Sequence, residues 1–307
     1  MKKGSVLAFI ASGALVLPVF TACKSDEPAG GDDANKAVLN FDGARLTSVD
    51  NYSIEYDNQG RVVEIDGRYD DLEIDYSKGK IEMEDEEGNI KFNKSGYITE
   101  ISMSWDETEE GYGYSYQYKG SGTAKFSYDS NGHLTSMSSN SKETEKDLIN
   151  KETSTWETST TTTLKWNNGN LTSVKMDGWE KEDGDKESYK AEISIQYGSQ
   201  VNKYQQFPLT IADFTIGEDP VNILAAVGLF GKGTAEFPTQ LVDYEDGDTY
   251  TINMSFDLNS NGSIRNENGN YGTYSYGYSS FSTKGLSELN DKKLSLRKLF
   301  VNRNHRK

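Results

Sequence analysis

The chain has 307 residues, 34% hydrophobic and 26% charged, with 49 acids against 32 bases and a formal charge of −17. That acidity argues against a nucleic-acid partner, because a polyanion needs a basic footprint. One Cys and two His exclude an internal disulfide framework and a Cys-rich zinc site, and leave little material for His-based metal or triad chemistry.

Residues 1–22 differ from the rest. Lys2 and Lys3 form a basic start, and Val6 to Phe20 is apolar without a charge. This is the pattern of a secretory signal peptide, too short to span a membrane persuasively. Thr21-Ala22-Cys23 resembles a bacterial lipobox, with Phe20 where Leu is usual. The resemblance implies cleavage before Cys23 and acylation of that residue, and several acyl chains on one residue give stable membrane anchoring. The chain's only Cys sits at this junction. Residues 23–37 read as a flexible acidic tether. Within it, Lys24-Ser25-Asp26-Glu27 is similar to the acidic export signal that follows the lipid Cys in Bacteroidetes surface lipoproteins. The expected address is the outer membrane, lipid-anchored, with the body facing the cell surface.

From Val38 the pattern is alternation. Tyr52, Ile54 and Tyr56 share one face, and the same holds for Leu72-Ile74-Tyr76, Ala124-Phe126-Tyr128, Leu164-Trp166, Ile193-Ile195-Tyr197 and Tyr250-Ile252-Met254-Phe256. Period two with polar partners marks antiparallel strands, one face buried and one wet. A unit recurs: an aromatic ends a strand, a polar turn with Gly follows, and an aliphatic opens the next strand. Examples are Tyr56-Asp57-Asn58-Gln59-Gly60-Arg61-Val62 and Tyr128-Asp129-Ser130-Asn131-Gly132-His133-Leu134. After the turn the apolar spacing slips from two to three, in Leu46-Thr47-Ser48-Val49, Ile98-Thr99-Glu100-Ile101, Leu134-Thr135-Ser136-Met137 and Leu171-Thr172-Ser173-Val174. An odd step would turn the strand over unless one residue bulges out, so a β-bulge is predicted at each Thr-Ser or Thr-Glu pair. Repeated bulges curl a sheet. The fold class is therefore all-β: one domain over 38–283, an antiparallel meander of repeated hairpins curled or closed into a barrel.

One short helix interrupts the pattern. Asp219-Pro220-Val221 to Phe230 has a capping acid, Pro at the first helical position and Gly228 and Gly231 near its end. It is apolar almost all round, which predicts a buried plug. Residues 284–307 form a basic tail without strand alternation.

Candidate chemistry is sparse. Asp257, Asn259 and Asn261 begin a sequence like an EF-hand calcium loop, yet position twelve is Asn268 instead of Glu and the segment is a copy of the hairpin unit. No metal and no cofactor are expected. The acids Asp70-Asp71-Glu73-Asp75 and Glu82-Glu84-Asp85-Glu86-Glu87 alternate with aliphatics, which puts many of them on a solvent face. His133 falls in a turn. Two aromatic ladders stand out: Tyr112, Tyr114, Tyr116 and Tyr118, and Tyr274, Tyr276 and Tyr278. Rings on one strand face either stack on a ligand or fill a β core.

Cys23, the aromatic-Asp-x-x-Gly hairpins, and Ala225-Ala226-Val227-Gly228-Leu229-Phe230-Gly231-Lys232 followed by Phe237-Pro238 resemble a Bacteroidetes lipoprotein family known as domain of unknown function 4595. The resemblance covers about 38–281 and implies a porin-like β fold, with no activity or site to carry over. Tyr56-Asp57-x-x-Gly60-Arg61 is also similar to the tyrosine-aspartate repeats of bacterial toxin shells, for which the copies here are too few and irregular. The functional expectation is a non-enzymatic envelope lipoprotein with a binding or structural role, its partner a glycan or protein besides the membrane. The rival is a polysaccharide hydrolase using carboxylates inside the barrel.

Overall fold

The computed structural model describes residues 36–280 except 69–70, 84–85, 112–113, 218–219, 246–247 and 271. The signal segment, Cys23, most of the tether, Tyr112 and the basic tail lie outside the described residues.

The chain is all-β. Six short strands come first: β1 (Ala44–Val49), β2 (Tyr52–Tyr56), β3 (Val62–Asp66), β4 (Asp71–Asp75), β5 (Lys80–Met83) and β6 (Glu86–Phe92). Six long ones follow: β7 (Ile98–Gly111), β8 (Tyr114–Tyr128), β9 (Leu134–Asp147), β10 (Thr153–Asn167), β11 (Asn170–Glu182) and β12 (Asp185–Val201). Two helices, α1 (Leu209–Thr215) and α2 (Val221–Ala226), precede β13 (Glu236–Glu245), β14 (Asp248–Asn253), β15 (Ser255–Leu258), β16 (Ile264–Gly269) and β17 (Gly272–Ser280). Neighbours in sequence pair antiparallel in one 17-stranded sheet, and β1 pairs with β17, which bends the meander into a barrel. The ring is interrupted once. There β14 ladders with β13 and β15 with β16, and the Met254 N–H between them reaches Thr239 O at 2.9 Å.

The bulges fall where the spacing slips. Leu46 and Ser48 face the consecutive Tyr278 and Gly277, which leaves Thr47 as the extra residue. Thr99, Thr135 and Thr172 are skipped in the same way, and so are Val63, Thr239 and Arg265. Threonine suits the position because its hydroxyl repairs the ladder. Thr99, Thr135 and Thr172 Oγ1 donate to the carbonyls of Lys91, Ser127 and Lys165 at 3.2, 3.1 and 3.0 Å.

The aromatic that closes each unit has a matching task. On the strand following a bulged one, the Tyr56, Tyr76, Tyr128 and Tyr197 hydroxyls and the Trp166 indole N–H donate to the carbonyls of Leu46, Val62, Ile98, Leu171 and Leu134, at 2.6 to 2.8 Å. Each acceptor is the aliphatic just before a bulge, so a group that burial would otherwise leave without a partner is capped from the neighbouring strand. β5 pairs without a shift on both sides, and the corresponding residue after it is Phe92, which has no donor. Phe256 after β13 stacks on Phe237 instead, rings 4.6 Å apart.

The helix expected over 219–230 is α2, and a second helix, α1, precedes it outside that span. α2 is shorter than expected, with Pro220 as its N-cap and turns after Ala226, and α1 was not anticipated. Burial is as expected. Ile223, Leu224, Ala225, Ala226, Leu229 and Phe230 are wholly inaccessible, as are Phe207, Leu209, Ile211 and Ala212. They pack with inward residues of the strands into one core. The plug is stitched to the end of the barrel where the tight turns lie. The N–H groups of Ile98, Lys232 and Ala235 donate to Leu229 O, Gly132 O and Gly169 O at 2.9 Å. A Cβ on Gly228 would stand 2.4 Å from Ala37 O and one on Gly231 2.5 Å from Gly132 O, both at positive φ. The two glycines of the Ala225-to-Lys232 motif are thus set by close approach, Gly228 to the segment before β1 and Gly231 to the β8–β9 turn.

Removing one hydroxyl cap leaves a buried carbonyl without a donor. Tyr128→Phe and Tyr197→Phe are each expected to lower the unfolding free energy by about 1–2 kcal/mol, read from urea denaturation. Unchanged midpoints in both would show that the hydroxyls do not support the bulges.

Candidate functional site

The second tyrosine ladder faces the plug. Tyr276 is buried and donates to Glu267 Oε2 at 2.7 Å, Tyr274 to Asp213 Oδ2 at 2.5 Å, and Tyr278 to Gln206 Oε1 at 3.2 Å. These rings and hydroxyls hold the insert, and a ligand would reach Tyr276 only by displacing it.

Glu267 is the buried acid that sequence reading missed. Its side chain is inaccessible, on β16, and its carboxylate accepts the Leu209 and Thr210 N–H groups at 2.9 Å as well as the Tyr276 hydroxyl. α1 starts from Pro208, which offers no side-chain cap. Glu267 supplies one from the barrel wall. Burial pushes its carboxyl above the usual carboxylate range, against the opposing hydrogen bonds from Tyr276, Thr210 and Leu209.

Asp257, Asn259 and Asn261 are each engaged within their own hairpin. Asp257 accepts from Asn266 Nδ2, Asn259 donates to Ser263 Oγ, and Asn261 Oδ1 accepts from Ser263. They are the partners of a hairpin turn. Among the described residues no group of three or more His, Cys, Asp or Glu is placed to hold a metal. Of the acidic runs, Asp71, Glu73, Glu82 and Glu87 are exposed as expected, whereas Glu86 is buried. His133 is buried as well, its Nδ1 3.1 Å from Asp129 Oδ2 and its ring stacked on Trp166 at 4.4 Å.

The first ladder stands elsewhere. β7 to β12 outrun the rest of the barrel and rise as a wall beyond the core. Tyr114 is exposed and Tyr116 and Tyr118 half-buried, with successive ring centroids 6.2 and 6.3 Å apart. The ladder registers carry the inward face up the wall. From Met103, Ala124 and Met137 in the core it passes through Trp105, Gly120 and Ser139. Trp105 lies over Gly120 and donates to Glu143 Oε2 at 2.7 Å.

Above that level the face changes character. β8 contributes Tyr118, Tyr116 and Tyr114, flanked by Glu107 and Glu109 of β7 and by Glu143, Glu145 and Asp147 of β9. Further round, β10 presents Thr158 and Trp156, β11 Glu180 and Glu182, and β12 Tyr189, Glu187 and Asp185. The Tyr116 hydroxyl is held above its ordinary pKa chiefly by Asp147, and Tyr118 by burial and then Glu145. No lysine or arginine of these strands belongs to this face. Lys119, Lys142, Lys175, Lys181 and Lys190 point the other way, where they pair with Asp106, Glu157, Glu192, Glu157 and Asp177.

Two hollows accompany this arrangement. One of about 470 Å³ sits at the crest, lined by Glu180, Glu182, Asp183, Asp185 and Glu187. The other, about 280 Å³, lies where β14 and β16 part, between Asp213 and Phe214 of the plug and Asp50, Ile252 and Tyr274 of the wall.

The cap predicts a pH dependence. A carboxyl whose pKa is raised by folding binds its proton more tightly in the native state, so its contribution is full below the ordinary value of 4.5 and falls as pH rises through the raised one. Glu267→Ala is expected to cost about 3 kcal/mol at acid pH, with the gap to wild type narrowing towards neutrality in urea unfolding series. A gap that widens with pH would reverse the assignment.

No family model matches the chain, so the family resemblance drawn from the plug motif gains no support there. No curated protein matches it either. Among solved structures it is similar to a porin-like protein from Bacteroides vulgatus ATCC 8482, at 12% identity and a TM-score of 0.47, over 77% of this chain and 99% of that one. It is also similar to a porin-like protein from Bacteroides uniformis ATCC 8492, at 12% identity and a TM-score of 0.27, over 68% of this chain and 95% of that one.

Proposed function

We propose that the chain is a lipid-anchored envelope protein that binds a ligand on the inward face of the β7–β12 wall and performs no chemistry of its own. The observation that carries this is the division of the interior: the plug fills the barrel's lower part, while one aromatic face above it stays open. Tyr114, Tyr116 and Trp156 supply flat, rigid contact surface at low entropic cost, which is what recognition surfaces use. Among the described residues the wholly inaccessible carboxylate is Glu267, and its hydrogen bonds are those of a helix cap. Anchoring is attributed to Cys23 at the lipobox-like junction. In support, the outward face of the long strands carries Lys, Glu, Ser and Thr, where a membrane-spanning barrel needs an apolar band.

Cys23→Ser is expected to abolish metabolic labelling with a palmitate analogue and to move the protein from the membrane to the soluble fraction. Retained labelling would remove the anchor. The Cys23→Ser chain, screened on glycan and peptide arrays, is expected to lose about tenfold in signal on Tyr116→Ala or Trp156→Ala. Tyr244→Ala and Trp179→Ala, on the reverse face, should leave the signal unchanged. Equal signals from all four discard the proposed face.

A further inference from the structure

Resting on that binding reading, we infer that the partner is a protein segment rich in arginine or lysine, seated on the tyrosine rungs between the two sets of carboxylates. Charge and shape together favour such a segment. In Lys142-Glu143-Thr144-Glu145-Lys146 the signs look balanced, yet period two sends both Glu to the inward face and both Lys to the outward one. The same parity sorts Lys181 from Glu182 and Lys186 from Glu187. A face that merely kept a strand soluble would mix signs, as the outward face does with its ion pairs. The inward face gathers one sign around aromatic rings, and a ring bordered by carboxylates attracts a cation twice, through its quadrupole and through its neighbours.

Size favours a protein segment over a small polyamine. Six strands about 4.8 Å apart, rising about eight residues at 3.3 Å each, present about 600 Å², close to one side of a modest protein interface. The crest hollow of about 470 Å³ beside Glu180 and Glu187 has room for long cationic side chains, and guanidinium groups match both carboxylates and ring faces.

The test uses the full Cys23→Ser chain with labelled nona-arginine as the probe, followed by fluorescence anisotropy at about 0.15 M salt. Glu107→Gln, Glu180→Gln, Glu182→Gln and Glu187→Gln together are expected to weaken binding about tenfold. Asp106→Asn, Glu157→Gln, Asp177→Asn and Glu192→Gln change the net charge equally on the outward face and should stay within about twofold. Tyr116→Ala should weaken binding about threefold and Tyr116→Phe should not. Urea midpoints of every variant are compared with that of the parent, so that lost binding is scored only on folded protein.

Equal weakening by both fourfold sets would overturn the inference, since the probe would then be answering to net charge alone. It also fails if binding emerges only after the basic residues of 284–307 are replaced by Gln, because the occupant is then the chain's own tail. A glycan signal that depends on Tyr116 and Trp156, with no nona-arginine binding, would leave the binding face standing and sink the cationic partner.

Discussion

A barrel of this girth must fill its own interior. With about 16 to 18 strands the lumen is wider than inward side chains can close, and an empty apolar space forfeits the contacts that hold a core together. The chain meets this by turning back inside between β12 and β13, and much of the rest follows. Gly228 and Gly231 are fixed by contact of the insert with the segment before β1 and with the β8–β9 turn. Glu267 is buried because α1 needs a cap that Pro208 cannot give. The second tyrosine ladder is committed to holding the insert, whereas of the first Tyr118 meets the core and Tyr114 and Tyr116 stand above it.

Alternation made the strands readable, and the odd step after each turn made the bulges readable, because a period of two tolerates no unpaired residue without flipping a face. The plug was only half legible. Phe207, Leu209 and Ile211 alternate with Pro208 and Thr210, so α1 shows the same period as a strand, and nothing local separates the two. Glu267 lies in the polar run Arg265-Asn266-Glu267-Asn268, and its environment is set by residues 57 and 58 positions away. The two tyrosine ladders look alike in sequence; only the position of the insert distinguishes a packed ring from an open one.

The wall's electrostatics were hidden for a different reason. Composition averages the two faces of a strand, and charge runs such as 142–146 average to little. Register separates them. Once six strands are aligned, the outward face is a lattice of ion pairs, each worth little at an exposed site, while the inward face keeps its acids among tyrosines. The chain's overall negative charge is therefore unevenly spent, and the part that bears on recognition is a small share of it.

The pairing of β1 with β17 has a consequence for how the molecule comes into being. Nearly all other ladders join strands adjacent in the chain, so they form by local hairpin closure in the order of synthesis. The β1–β17 ladder joins Ala44–Val49 to residues near Ser280, and it cannot exist until almost the whole body has been made. Through that interval the growing sheet carries two open edges, each a template for pairing with another chain. The last nine-residue strand is what turns an aggregation-prone ribbon into a ring with a single gap, between β14 and β16.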